Sequence, residues 1–378
     1  MKIRKVAYIV RASVPSPSTN SIHIAKISEA FSLLVEKTLL IVSGGDENVD
    51  YKDYYGIRND FDLLRIPCTN SKRLSQIIWA KKTADKAREF GADMIVTRDP
   101  LVALVAVLQK QETVLDLHGD LAHLCGRFYR MIRWKFFVDS KKLHLVMISR
   151  GLQDFYQKKY GLPISKSTVL ADGCNLDDFS ECSKKELDIS KEHLHIGYFG
   201  KAVIGKGIDL IRRIALEDPD DIFEIYGANK AAAEKETGKH FSDNVIFHGH
   251  VPNSEIPEKM CEMDVLLLPN QDRMDVMGED IGKFTSPLKM FEYMASARVI
   301  IASDLPVLRE VLNEDNAYLA DSKDEKKWNE AIKAIKNDGK AKDKAAKACE
   351  QVNGYTWKKR AEAMISLVTI KDKETAGK

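Results

Sequence analysis

The chain has 378 residues, 44% hydrophobic and 30% charged, which excludes a disordered or fibrous chain and fits a soluble protein with more than one core. Its formal net charge of +2 conceals an asymmetry: residues 1–179 carry 27 Lys/Arg against 20 Asp/Glu, and the remainder carry 31 against 36. The basic N-terminal part points to an acidic partner or a membrane surface, and no nucleic acid is expected as a partner.

The opening "MKIRKVAYIV" is too short an apolar run for a signal peptide and reads as a first strand. Strand-like runs follow at 6–10, 38–43, 94–98, 113–118 and 143–149, with amphipathic helical patterns between them, among them 21–35 and 71–90. Near-continuous apolar strands alternating with helices predict a parallel sheet covered on both faces. The polar stretch 172–193 breaks that rhythm and reads as an interdomain linker. A second series then runs through strands at 195–200, 222–227, 244–249, 264–269 and 298–303. The expectation is an α/β protein of two Rossmann-like domains, 1–175 and 192–350, facing each other across a cleft between their carboxyl edges. No run reaches the roughly 18–20 apolar residues of a membrane span. The six cysteines, Cys68, Cys125, Cys174, Cys182, Cys261 and Cys349, contain no CxxC pair; neither zinc nor a disulfide is expected, and a reducing cytoplasm fits.

Two stretches carry chemistry. In "HIGYFGKAVIGKGIDLIRRI" a strand ends at Gly200, a short loop follows, and a helix begins near Gly207. Lys201 and Lys206 flank that loop beside a helix N-terminus, where exposed amides and ammonium groups would cradle a phosphate; two solvated loop lysines are the plain alternative. The loop also nearly spells a P-loop, but Gly207 stands where Ser or Thr would hold magnesium. In "FTSPLKMFEYMASARVIIASD" (284–304), Ser286 reads as an N-cap and Pro287 as the first helical residue. Lys289 then falls in the first turn, where the helix dipole disfavours a cation. Glu292 is its neighbour one turn on, and a surface ion pair between them would be worth only about 0.3–0.5 kcal/mol. Two dipole-opposed lysine sites, each following a strand, predict one diphosphate held between them. The acidic pairs in 218–221 and 176–178 read as solvated, not as metal ligands.

The order and spacing of "GYFGKAVIGKGIDLI", "FEIYG", "NVIFHGHVPNSEIPEKMCEMDVLLLP" and "SPLKMFEYMASARVIIASDLPVLREVL" resemble the donor-binding domain of retaining glycosyltransferases of family 4 (group 1), which have the GT-B fold. "LDLHGD", "VMISRGLQDFYQKKYG" and "VLADGCNLDDF" match the family's N-terminal domain more loosely, and "YTWKKRAEAM" resembles its returning helix, so 356–372 joins the first, acceptor-binding domain. The resemblance implies transfer of a sugar from a nucleoside diphosphate sugar to a glycan or lipid-linked acceptor, without cofactor or metal. Lys201 and Lys206 would hold the diphosphate, Lys201 standing where arginine is common. Glu292 matches the second glutamate of the Glu-x7-Glu motif, the one that holds the ribose, whereas the first is replaced by Phe284. Glu279, Asp280 or the backbone of 282–285 would then face the sugar. His118 matches a histidine near the donor sugar. The family's donor site further implies Gly200, Gly227, Thr285, Ser286, Leu288 and Lys289, with the nucleotide base near His250 and Val251.

Ser18, Thr19, Asn20 and Ser21 offer hydroxyls, an amide and a helix N-terminus that either grip phosphate or acceptor or cap the helix. The segment "GRFYRMIRWKFF" (126–137) interleaves cations with aromatics, as a membrane-contacting helix does; aromatics packed on the sheet with snorkelling arginines are the alternative. An epimerase of the same fold, a non-catalytic nucleotide-sugar binder and a P-loop nucleotidase are the competing readings of the whole chain.

Overall fold

The computed structural model describes residues 2–68, 73–120, 139–276, 279–280, 282–337 and 339–376. They fall into two units, 1–171 with 357–378, and 172–356. The basic, aromatic segment 126–137 lies outside the described residues.

The first unit alternates β1 (Lys5–Ser13), α1 (Thr19–Ser32), β2 (Lys37–Gly44), α2 (Tyr51–Tyr55), β3 (Asp62–Arg65), α3 (Arg73–Phe90), β4 (Met94–Thr97), α4 (Pro100–Leu108), β5 (Glu112–Leu117), β6 (Leu143–Met147), α5 (Arg150–Tyr160) and β7 (Ser167–Val169). Its seven strands are parallel in the order β3-β2-β1-β4-β5-β6-β7. Val6 to Val10 of β1 are buried on both faces of the sheet, as the unbroken apolar run requires. The short β3 and β7 at the two edges escape the sequence reading because neither has the long apolar run of a central strand.

The C-terminal helix, Trp357–Ala376, belongs to this unit. Ala361, Met364 and Val368 form its buried stripe, and Trp357 meets the His23 ring edge-on at 4.8 Å. Arg360 fixes the register. It is buried, donates to the Leu170 and Ala171 carbonyls, and gives its Nη2 to Asp116 Oδ1 at 2.7 Å. Burial alone would raise the Asp116 pKa, but the charge of Arg360, with His118 and Arg98 beside it, holds it well below the usual carboxylate range.

The second unit runs β8 (His195–Phe199), α6 (Ile208–Glu217), β9 (Ile222–Tyr226), α7 (Lys230–Thr237), β10 (Val245–Gly249), α8 (Ile256–Glu262), β11 (Val265–Leu268), β12 (Asp275–Val276), β13 (Glu279–Asp280), α9 (Leu288–Ala295), β14 (Val299–Ser303), β15 (Tyr318–Ala320), α10 (Glu325–Asn337) and α11 (Ala341–Gln351). Six parallel strands take the order β10-β9-β8-β11-β14-β15, and β12 pairs antiparallel with β13. One face of the sheet buries Ile208, Ile211, Ile214 and Trp328.

Three expectations change. Residues 172–193 are not an open linker: they fold onto the second unit through short 3-10 turns at Leu176–Phe179 and Cys182–Lys184, with Phe179 buried. Arg298 Nη2 donates to the Cys182 and Lys185 carbonyls at 2.8 and 2.7 Å. Cys182 and Cys261 pair as a disulfide with their Cα atoms 4.9 Å apart, which overturns the expectation of none and removes cysteine usage as evidence for a reducing compartment. Seventy-nine residues of sequence separate the two, so no local spacing announces the pair. Asp221 is fully buried rather than solvated, accepting from the Leu194 amide at 2.8 Å and Lys336 Nζ at 2.7 Å. Burial and that neighbouring carboxylate push Asp218 up to about 6.

Replacing Arg360 by Ala would strip buried Asp116 Oδ1 of its ion-pair partner while His118 stays on Oδ2, so global stability in denaturant titrations should fall by about 3 kcal/mol. A depressed carboxylate stabilises above its unfolded value and loses that contribution as pH falls through its native one. The variant should therefore also unfold at a higher pH than the parent in acid titrations.

Candidate functional site

In a parallel α/β sheet the loops leaving the carboxyl ends of the strands meet at one edge. At that edge of the second unit β8, β9 and β10 end in Gly200, Gly227 and Gly249. Gly200 donates its amide to the Tyr226 carbonyl at 2.8 Å, and Gly227 donates to Gly249 at 2.7 Å. Gly227 has φ of 95°, and a Cβ there would lie 2.9 Å from the Gly200 carbonyl oxygen, so only glycine lets these two strand ends close up. The loop after Gly200 is one 3-10 turn, Ile204–Lys206, which ends at Gly207 (φ 84°). A Cβ on Gly207 would fall 2.0 Å from the Pro269 carbonyl oxygen, and α6 starts at the next residue.

Lys206 and Lys289 come together here, while Lys201 is exposed. Lys206 is mostly buried; that burial, then the charge of Lys201, lowers its pKa. Lys289 enters from α9, whose N-cap is Pro287 and not Ser286. Ser286 caps nothing: its Oγ accepts from the Asp172 amide at 3.3 Å. Lys289 still lies in the first turn, as its dipole-opposed position requires. Part of its stem remains exposed, but Nζ has no solvent-accessible surface and no hydrogen-bond acceptor among the described residues. It sits 4.0 Å from the centroid of the Tyr198 ring and 3.7 Å from where a Cβ on Gly200 would be. Tyr198 is itself fully buried, and its hydroxyl donates to the Lys201 carbonyl at 3.0 Å. Burial, then the charge of Lys206, drives the Lys289 pKa well below the ordinary lysine value, and nearby Glu292 only partly offsets them. The Tyr198 ring offers a cation–π contact to the charged form, whereas burial disfavours it.

Among the remaining donor-site candidates, Leu288 is a core residue, Thr285 is partly buried, and His250 and Val251 follow the β10 end, His250 exposed. Phe284 is buried. Asp280, weighed as a replacement for the glutamate missing there, accepts from the Met274 and Gly282 amides at 2.9 and 3.1 Å. That carboxylate ties the outer ends of the β12–β13 pair together, and the Gly282 amide is spent on it.

A second cluster lies at the carboxyl edge of the first unit. His118, after β5, gives Nε2 to Asp116 at 3.0 Å and receives Arg98 Nη2 at Nδ1, 2.7 Å away. Arg98 also donates to Asn20, and Ser18 Oγ accepts from the Ser21 amide at 3.1 Å, so Ser18 is a helix cap while Thr19 is exposed. Arg98 went unnoticed in the sequence because one arginine at a strand end carries no motif. Equally silent was Glu224, which accepts from His195 (2.6 Å), His248 (2.8 Å) and the Tyr226 hydroxyl (3.0 Å) beneath a stack of Phe199, Tyr226 and His248 rings. Its signal was a glutamate in an apolar strand.

Residues 194–338, within the second unit, match the family model described as Glycosyl transferases group 1. An uncharacterized 41.2 kDa protein of the cps region of Klebsiella pneumoniae is 32% identical over 98 residues, a stretch covering 25% of this chain and 26% of that protein. Anabaena Alr3699/HepE, solved with UDP and glucose and with UDP-glucose, is similar over 97% of this chain and 99% of its own, with a TM-score of 0.73 and 14% identity in the first of these. A glycosyltransferase from Rickettsia africae covers 97% and 98% with a TM-score of 0.75 and 13% identity. The fold is that of GT-B glycosyltransferases, with two Rossmann-like units. Among the described residues no helix is long and apolar enough to cross a membrane.

A lysine whose native pKa lies below its unfolded value binds fewer protons folded than unfolded. Stability should therefore rise with pH through the window between that depressed value and about 10.4, the ordinary lysine value. Lys289→Met should melt higher than the parent near neutral pH and flatten this dependence. Pyrophosphate added to the parent should be bound with proton uptake, read by calorimetry in buffers of different ionisation enthalpy; the variant should show neither binding nor uptake.

Proposed function

We propose that this protein is a retaining, metal-independent glycosyltransferase that moves a sugar from a nucleoside diphosphate sugar to an acceptor hydroxyl. The observation that carries the reading is the Lys289 ammonium, withdrawn from water beside Lys206 with no hydrogen-bond acceptor among the described residues. A diphosphate is the ligand that repays such a site, because its charge grows as the sugar–oxygen bond breaks. Preorganised cations stabilise that developing charge without reorganising at the moment of reaction. The anomeric carbon loses the diphosphate oxygen and gains the acceptor oxygen on the same face. The acceptor's proton passes to the departing phosphate, so no enzymic nucleophile is needed.

Within this reading Gly200, Gly227, Thr285, Ser286 and Leu288 shape the donor pocket with Lys289, and Glu292 holds the ribose. His250 and Val251 are assigned to the base, and His118 is assigned to the donor sugar. Thr19 and Asn20 serve phosphate or acceptor. UDP is the nucleotide to test first, since Alr3699/HepE was solved with it. The cps-region relative supports a role in surface polysaccharide, with glycolipid or lipid-linked glycan as further acceptor classes, at the cytoplasmic face of the membrane. Phe284, buried where the family's first sugar-binding glutamate belongs, favours a second reading, a non-catalytic nucleotide-sugar binder. Detectable transfer to any acceptor removes it.

A thermal-shift screen against nucleotide sugars identifies the donor, because a ligand that binds only the native state raises its melting temperature. With that donor, Lys206→Ala should lower turnover on the order of 100-fold while leaving the free protein's melting temperature close to the parent's. Unchanged turnover in that variant contradicts the proposal.

A further inference from the structure

Tyr198, next to last in β8, is fully buried in the core cluster that holds Ile208, Ile211 and Ile225. A phenol in such a place needs an acceptor for its hydroxyl. It finds one in the loop beyond the strand, where the hydroxyl donates to the Lys201 carbonyl at 3.0 Å. The same carbonyl accepts from the Val203 amide at 3.0 Å, and the Val203 carbonyl accepts from the Lys206 amide, also at 3.0 Å. A chain of hydrogen bonds therefore runs from the phenol through the loop to the residue whose mostly buried side chain is the Lys206 amine. Burial raises the Tyr198 pKa, so the hydroxyl stays protonated and remains a donor.

The ring serves the other lysine. Lys289 Nζ lies 4.0 Å from its centroid, and the ring quadrupole attracts an ammonium that has no hydrogen-bond acceptor among the described residues. A Cβ on Gly200 would lie 3.1 Å from the Tyr198 hydroxyl oxygen and 3.7 Å from Lys289 Nζ. Strand end, phenol and ammonium are thus packed about one point. The core asks only for an apolar side chain at 198, which leucine or phenylalanine would supply. The hydroxyl and the aromatic face are directed elsewhere, one to the loop and one to Lys289.

We propose that Tyr198 is a positioning residue for the diphosphate. Its ring holds the Lys289 ammonium, and its hydroxyl sets the course of the loop that carries Lys206, so that both amines are in place before the ligand arrives. Lys201 takes part through its backbone carbonyl. The inference rests on the proposed donor site and goes beyond it, because it assigns the geometry of that site to a core residue that has no need to touch the ligand.

The test is calorimetric titration of the full chain with pyrophosphate, for the parent, Tyr198→Phe and Tyr198→Leu, beside the melting temperature of each free protein. Tyr198→Phe keeps the ring and deletes the bond to Lys201, and should weaken binding by about three- to tenfold. Tyr198→Leu deletes both contacts and should weaken it by about 30-fold or more. The conservative variant thereby retains part of the affinity that Tyr198→Leu loses. A merely structural residue would lower the melting temperature and leave the dissociation constant of the folded protein unchanged. Equal affinity of the parent and Tyr198→Phe overturns the proposal, as does equal affinity of the two variants. If Tyr198→Leu does not fold, the comparison of the parent with Tyr198→Phe decides. A parent that fails to bind pyrophosphate removes the donor site and this role together, whereas binding that the parent and both variants share removes only the role of Tyr198.

Discussion

A buried ammonium without a counter-ion is the constraint on which the second unit's carboxyl edge is built. Lys289 is carried there by the first turn of α9, against the helix dipole, over the Tyr198 ring and next to another half-desolvated lysine. Each of these placements raises the cost of the charged form. The surroundings are rigid enough to impose it: the Gly200–Gly227 strand ends close on each other with no room for a side chain, and Gly207 lies against the Pro269 backbone. The Tyr293 hydroxyl, buried between β8 and α9, accepts from the Phe199 amide at 3.0 Å and ties the helix to the strand. Relaxation that would let Nζ reach water is thereby blocked.

How much of this could be read from residues alone follows from the range of each signal. The two sheets declared themselves through apolar runs such as 38–43 and 264–269, because a strand buried on both faces has no freedom to be polar. The lysines declared themselves through electrostatic incongruity, cations at helix starts. Ser286 and Pro287 were misassigned by one position because helix ends are set by which carbonyls the first turn can use, and the Ser286 hydroxyl is engaged by Asp172, over a hundred residues away in sequence. The Cys182–Cys261 pair, the burial of Asp221 and the hold of Arg98 on His118 are all long-range. Nothing within a window of ten residues encodes them.

The chain's choice of lysine at 206 and 289, where arginine is available and is used nearby at 212 and 213, also follows from burial. Arginine keeps its charge in any protein environment, and a guanidinium buried without an acceptor would destabilise the free protein continuously. Burial lowers the pKa of an amine, so lysine tolerates this site at less cost than a guanidinium would.

Two buried charges are handled by opposite means. In the first, Asp116 takes Arg360 on one oxygen and His118 on the other, so every charge that leaves water finds a partner inside the fold, and the C-terminal helix is held in register by that pairing. In the second, the charge at 289 is left for something outside the chain to complete. A fully paired network contributes to one structure and has nothing left to offer a ligand; an incomplete one weakens the free protein and holds that energy for binding. Stability gained by pairing Lys289 internally, with a carboxylate brought beside Nζ, would therefore be subtracted from affinity for any anion that the edge receives. That trade explains why Glu292 stands near enough to temper the desolvation of Lys289 and yet does not cancel it.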